Sequence, residues 1–362
     1  MDNTMASKQL SGLRVGGYEI TDRIGAGRFC IAYECRGGSQ KTAAIKVLRD
    51  PEDVRYFIRE TAIINAIKHL KTPHVVKFLD VGSLLYTDST GATHPLPWIM
   101  MEKLGTSLSA HLRRVVSIKL PTALKITAGI FRGLAALHAA GIIHSDIKPS
   151  NIMFRGSVDD CVPVLVDLGS AAKVGDVKST KVGTYMYIPP ENIYLQDYST
   201  PADIWSTMTI LFEMATGDVL FDVYHDCDIK YGGGLDTAES SSDSTGCSSG
   251  CSSSESESES ESDSGSDQTD SSSEANTEEE LLLEQRLMRL WIRVLGPVPR
   301  EMWKNTPAID APEPISLGKL IQRNYDMSAS EISKLVSIMS RGLQYRAKER
   351  ITAEKAAVLC AK

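Results

Sequence analysis

The sequence predicts an α+β fold in two lobes, a small β-rich lobe followed by a larger helical one that carries an unstructured acidic insert. Three observations point there. Short strand-like runs with glycines between them fill the first fifty residues. Long apolar helical faces dominate after residue 105. Between residues 236 and 280 the chain holds 14 Asp and Glu and no Lys or Arg.

The elements follow in order. Tyr18–Ile24, Cys30–Cys35 and Thr42–Leu48 read as strands, and a helical stretch runs from about Arg55 to His69. A further strand-like run, Trp98–Met101, leads into Glu102-Lys103-Leu104-Gly105. Leu124, Thr127, Ile130, Phe131, Leu134, Leu137 and His138 then share one helical face, with Gly141 as the stop. Asp203–Ala215 gives a second apolar helix carrying Trp205, Met208, Leu211 and Phe212. The acidic strip is mostly Ser, Glu and Asp, without aromatic or β-branched aliphatic residues. It lacks the apolar surface needed to offset the entropy of ordering and is expected to be disordered. The apolar pattern resumes at Leu281. The expected divisions are therefore a tail (1–15), a folded domain (16–236, with its small lobe ending near 104), the insert (237–280), the remainder of the large lobe (281–356) and a second tail (357–362).

Composition narrows the function classes. Of 362 residues 42% are hydrophobic, enough for a sizeable core. No run of about 18 uncharged apolar residues marks a membrane span, and residues 1–12 lack the apolar run of a secretory signal. The seven cysteines contain no CxxC pair, which fits neither a zinc site nor a disulfide framework. An intracellular chain, in cytoplasm or nucleus, is expected, monomeric and without membrane or direct nucleic-acid partners. The net charge of −7 conceals an uneven distribution: outside 236–280, 39 bases face 32 acids, a balance of +7.

Several short segments carry chemistry. Ile24, Gly25, Ala26, Gly27, Arg28, Phe29, Cys30, Ile31 and Ala32 lie between two strands, where glycines let a hairpin approach phosphates and offer backbone N–H donors. Alone, such a hairpin is more readily a plain turn. Lys46 follows 19 residues after Gly27, and Glu60 opens a helical apolar pattern beyond it. In Ile143-His144-Ser145-Asp146-Ile147-Lys148-Pro149-Ser150-Asn151, a carboxylate, an ammonium and an amide fall within six residues. Sixteen residues later an apolar strand delivers Asp167 at its end, followed by Leu168-Gly169.

In order and spacing these segments resemble the protein kinases, over roughly 16–236 and 281–356. The resemblance implies a bilobal kinase fold and transfer of the ATP γ-phosphate to Ser or Thr of protein substrates. It implies that Ile24 through Ala32, Lys46, Glu60, Glu102 and Leu104 bind ATP. Met101 would stand at the back of the adenine pocket. Asp146 and Lys148 would be catalytic, and Asn151 and Asp167 would hold Mg2+. Gly183-Thr184 and Pro189-Pro190-Glu191 resemble the end of the activation segment. Asp203 and Arg350 match structural positions, the latter pairing with Glu191. Residues 199–221, His144-Ser145-Asp146-Ile147-Lys148-Pro149, Asp167-Leu168-Gly169-Ser170-Ala171 and Leu295–Arg300 are similar to the SR-protein kinases, which implies an Arg/Ser-rich substrate. The stretch Tyr185-Met186-Tyr187-Ile188 departs from that branch, which has an arginine here. Two other readings stay open: a pseudokinase scaffold, and an acidic protein that binds basic partners through the strip.

Overall fold

The computed structural model describes residues 10–27, 29–38, 41–50, 53–87, 91, 93–156, 158, 162–176, 183–193, 198–224, 271–302 and 313–362, with backbone alone at 86, 271–277, 279 and 301. Arg28 and most of the acidic strip, which carry two of the expectations above, lie outside the described residues.

The first lobe is one antiparallel sheet. Its strands are β1 (Arg14–Val15), β2 (Tyr18–Ala26), β3 (Cys30–Gly37), β4 (Thr42–Leu48), β5 (Phe78–Thr87) and β6 (Thr93–Glu102), in the order β1-β2-β3-β4-β6-β5. Side chains alternate between the two faces of a strand. Ile20, Ile31, Tyr33, Cys35, Ile45 and Val47 gather on one face and pack with Leu10, Val15, Trp98 and Met100. The opposite face carries Gly25, Ala32 and Lys46, which the register aligns across three strands (Gly25↔Ala32, Ala32↔Lys46). The chain before β1 belongs to this lobe: Leu10 is fully buried, and the Gly12 N–H donates to the Ile20 carbonyl at 2.8 Å. Helix α1 (Val54–Ile67) connects β4 to β5 and turns Glu60, Ile63, Ile64 and Ile67 inward.

Strand β5 and the first half of β6 are absent from the sequence expectation. Pro95 and Pro97 disguise them, because proline removes a ladder donor. Strand β4 pairs with β6 only from Trp98 to Glu102. Residues 93–97 therefore form an edge on that side, and two prolines of equal parity put their missing donors there.

The second lobe is built on helix α3 (Leu120–Ala139), after the short α2 (Leu108–Leu112). Against it pack α5 (Pro201–Thr216) and α9 (Ala353–Cys360). Gly129 and Gly133 on α3 allow close approach: a Cβ at Gly133 would lie 2.6 Å from the His74 carbonyl oxygen. By length and composition α3 is apolar enough to span a bilayer, although it carries Lys125 and Arg132, and 67% of that window is buried in the core. Two small antiparallel strand pairs lie over α3, formed by β7 (Ile142–Ile143) with β10 (Ala172–Lys173) and by β8 (Ile152–Phe154) with β9 (Pro163–Leu165).

The short α4 (Pro190–Ile193) precedes α5. Beyond the strip come α6 (Ser271–Leu295), α7 (Leu317–Asn324) and α8 (Ala329–Met339). Three boundaries shift from the sequence expectation. The expected tail of residues 1–15 is shortened, because Leu10 and Val15 are buried in the first lobe, to which they belong. Helix α6 begins at Ser271, inside the segment assigned to the disordered insert, because the apolar face from Leu283 onward extends a helix backward through residues that tolerate helical backbone. Helix α9 ends at Cys360, which is buried, so the fold continues beyond residue 356. Cys30, Cys35 and Cys360 are free thiols.

Candidate active site

Between the lobes the polar residues singled out in the sequence converge. Lys46 Nζ bonds both carboxylate oxygens of Glu60, at 2.9 and 3.0 Å, and Asp167 Oδ1 at 2.8 Å. Strand β4 supplies the lysine, α1 the glutamate, and the turn after β9 the aspartate. Burial alone lowers an ammonium's affinity for its proton, but the two carboxylates reverse this and hold Lys46 charged. Burial raises Glu60, and Lys46 offsets part of the rise. Asp167 feels the same burial, yet Lys46 keeps its carboxyl below the ordinary range. Its φ of +60°, in the turn after β9, is uncommon for a non-glycine residue. Leu168, next in the chain, is fully buried.

The second cluster sits on the loop after β7. Asp146 Oδ2 pairs with Lys148 Nζ at 2.9 Å. The Thr184 hydroxyl donates to Asp146 Oδ1 at 3.1 Å and accepts from Lys148 at 3.2 Å, closing a ring of three side chains. Asn151 Nδ2 donates to the Asp146 carbonyl at 2.8 Å and to Oδ2 at 3.0 Å.

The loop is held from below. Asp203, in the first turn of α5, accepts the N–H groups of His144 (2.9 Å) and Ser145 (3.0 Å) and bonds His138 Nε2 at 2.8 Å. Burial pushes Asp203 up, and the contacts from His138 and His144 more than offset it. His144 is fully buried, with Nε2 at 3.0 Å from the Val166 carbonyl, so it braces the loop from inside. Ser145 takes a φ of +71°. Farther down, Arg350 and Glu191 form a two-bond pair, each bond 2.6 Å, with Arg350 lying 5.1 Å over the Trp205 ring.

The glycine hairpin is placed over the cleft with three differences from the sequence expectation. The Ile31 side chain is on the far face of the sheet, because strand alternation sends Ala32, not Ile31, to the cleft. Phe29 stacks on Tyr56 of α1, with ring centroids 4.0 Å apart, rather than covering a phosphate position. Cys30, at the third glycine position, is nearly buried, and its thiol is pushed up to about 11 chiefly by burial, which keeps it neutral. Gly27 donates its N–H to the Cys30 carbonyl at 2.8 Å, and Ile24 stays 48% exposed at the roof.

At the connection between lobes, Glu102 points away from the cleft. Its carboxylate takes Arg155 and the Lys77 N–H (2.8 Å), and its own N–H donates to the Lys77 carbonyl at 2.9 Å. Only its backbone carbonyl remains for a ligand. Lys103 pairs back to Glu34 on β3. Met101 and Leu104 pack with Val76, Val164, Val166 and Met153 into a small apolar cluster beneath the connection. Val166 and Met153 were missed by the sequence reading. Apolar residues on short buried strands carry no type signature, although Met153 stands two residues after Asn151.

A model of the protein kinase domain family matches residues 18–358. The chain belongs to the protein kinase domain family. Among curated relatives, it is 28% identical over 225 residues to a probable serine/threonine-protein kinase PknB of Bifidobacterium longum, covering 59% of this chain and 32% of that protein. It is 32% identical over 227 residues to the serine/threonine-protein kinase PknE of Mycobacterium bovis, with 60% and 37% covered. To the serine/threonine-protein kinase ATG1c of Arabidopsis thaliana it is 28% identical over 221 residues, with 59% and 28% covered. The chain thus spans about a third of the length of these relatives.

Proposed function

We propose that the chain is a serine/threonine protein kinase that transfers the γ-phosphate of ATP to protein hydroxyls. The observation that carries this reading is the closed Asp146–Lys148–Thr184 ring lying alongside the assembled Lys46–Glu60–Asp167 set. Every polar group that phosphoryl transfer asks of a protein kinase is present and oriented. A scaffold without chemistry has no need of that convergence.

The donor atoms suit Mg2+. Asn151 spends its amide nitrogen on Asp146, which leaves its oxygen as a ligand. Asp167 gives Oδ1 to Lys46, which leaves Oδ2. Two protein oxygens plus substrate phosphates is the usual way this ion is held, and among the described residues no cluster of three His, Cys, Asp or Glu offers an all-protein cage. The ion, when bound, neutralises charge on the phosphates. The chain's own residues do the rest. Lys46 grips the phosphate tail under the glycine hairpin, Asp146 aligns the attacking hydroxyl, Lys148 balances charge on the transferring group, and Thr184 fixes the relative position of the last two.

Ser145 stands where an arginine would pair with a phosphate on the activation segment. Its backbone is held by Asp203 and Tyr198 instead. Activity is accordingly independent of activation-segment phosphorylation, and phosphatase treatment leaves it intact.

The substrate is basic, in the Arg/Ser-rich class. Support comes from the wall beside Thr184. Burial and the charges of Glu280 and Glu284, in the middle of α6, push the Tyr185 phenol up to about 12. Tyr187 donates to Glu213 at 2.8 Å, with Asp222 nearby. An acidic wall favours a cationic peptide and speeds its encounter. The test is transfer of labelled phosphate from Mg-ATP to an Arg/Ser-repeat peptide and to an acidic peptide, with Asp146→Ala protein as blank. Transfer to the acidic peptide alone overturns the basic-substrate reading. Binding of ATP without transfer to either overturns the kinase reading.

A further inference from the structure

Behind the connection between lobes, on the side away from the catalytic ring, lies a second cleft of about 390 Å³. It runs between the end of α1, the loop to β5, and Arg155 after β8. Its floor is apolar, from Ile67, Leu70, Val75 and Phe78, and its rim is Lys68, Lys71 and Lys77. The lining contains no carboxylate. Neither does the whole stretch from residue 61 to 79, which carries those three lysines and two histidines. The lysines are exposed, and among the described residues none of them pairs with an acid. Arg155, the fourth cation, is fixed in place by Glu102 and by the Pro73 carbonyl at 3.3 Å.

We infer that this cleft is the docking site of the chain's own acidic segment, residues 236–270. Charge complementarity carries the assignment. The segment holds ten Asp and Glu and no Lys or Arg, which matches three exposed lysines that pair with no acid among the described residues, Arg155 being already taken by Glu102. The substrate wall is a poor alternative, because Asp222, Glu280 and Glu284 repel an acidic chain there. Reach is not limiting: the 46 residues from 225 to 270 span up to roughly 150 Å when extended. Tethering raises the local concentration of the segment to about the millimolar range, so a weak electrostatic site stays filled in cis while the substrate groove is left open. The cleft contact is also sensitive to salt, since its charges are exposed.

The experiment is zero-length carbodiimide coupling of the full chain at low concentration, with linked peptides identified by mass spectrometry. A one-to-one mixture of unlabelled and isotope-labelled chains separates links within a chain from links between chains. The expected result is links from Lys68, Lys71 and Lys77 to acids in 236–270 of the same chain. Their yield should exceed that at Lys119, Lys319 and Lys348 and fall about fivefold or more in 1 M salt. In a Lys68→Gln, Lys71→Gln, Lys77→Gln chain, whose changes are all at exposed positions, the segment should not move to one other lysine. Equal yields at all exposed lysines, links joining two different chains, or a salt-independent pattern would each overturn the assignment.

Discussion

Replacing Arg350 by methionine should destabilise the second lobe far more than its distance from the catalytic ring suggests. The Arg350 side chain is fully buried, and that of its partner Glu191 is 2% exposed. The guanidinium donates two bonds of 2.6 Å to Glu191 and further bonds to the carbonyls of Gln344 (2.9 Å), Pro201 (3.0 Å) and Tyr345 (3.4 Å). Methionine fills a similar volume and keeps contact with Trp205, so the loss is electrostatic. It strands a buried carboxylate and three carbonyls. Removing one partner of a buried pair costs about 3–5 kcal/mol, whereas removing both costs much less. Arg350→Met is therefore expected to lose about 3–5 kcal/mol, and adding Glu191→Gln to restore part of it. Urea unfolding followed by the fluorescence of the buried Trp205 and Trp291 reads both variants against the parent. A single variant within about 1 kcal/mol of the parent, or a double variant worse than the single by a similar step, would refute the reasoning.

Three other outcomes follow from the same geometry. Burial lifts the Glu213 carboxyl from 4.5 to about 7, so the unfolded chain ionises first and stability falls as pH rises through that window. Glu213→Gln should gain on the parent between pH 5 and 7.5, by about 3 kcal/mol at most; parallel stability–pH curves would contradict this. Gly133→Ala should lower the melting temperature, because its Cβ meets a backbone carbonyl at 2.6 Å, and the overpacking of about 1–3 kcal/mol exceeds the gain in helix propensity. An unchanged or raised melting point counts against it. Thr184→Val keeps the shape and removes both hydroxyl bonds, so kcat should fall about 10- to 100-fold with KM for ATP unchanged; an equal kcat would mean that the ring does not position Asp146.

Much of this site was legible in the sequence, for a physical reason. Asp146, Lys148 and Asn151 lie within six residues on one loop, so their proximity is local. Lys46 and Glu60 were found because a strand and a helix each leave a period in the sequence, and these residues lie within consecutive elements of those two kinds, β4 and α1. What was not legible depends on neighbours far along the chain. Ile31 and Ala32 look alike in a hairpin, and only the cluster formed with Leu10 and Trp98 decides which of them faces the cleft. The turning of Glu102 toward Arg155, 53 residues later, leaves no trace in either segment. Strand β5 was missed because its exposed edge permits Gly82 and mixed polarity, and its partner β6 carries two prolines. The start of α6 was misplaced because the acidic composition spoke for disorder, while the apolar face just beyond it extends the helix backward.

The most direct test of the whole account is a single-turnover measurement of γ-phosphate transfer from Mg-ATP to a basic protein substrate, followed by phosphoamino-acid analysis. The account predicts phosphoserine or phosphothreonine from the parent chain, and a loss of about a thousandfold or more in Asp146→Ala with ATP binding retained. Equal transfer by both proteins, or a parent chain that binds ATP and transfers nothing, would contradict it.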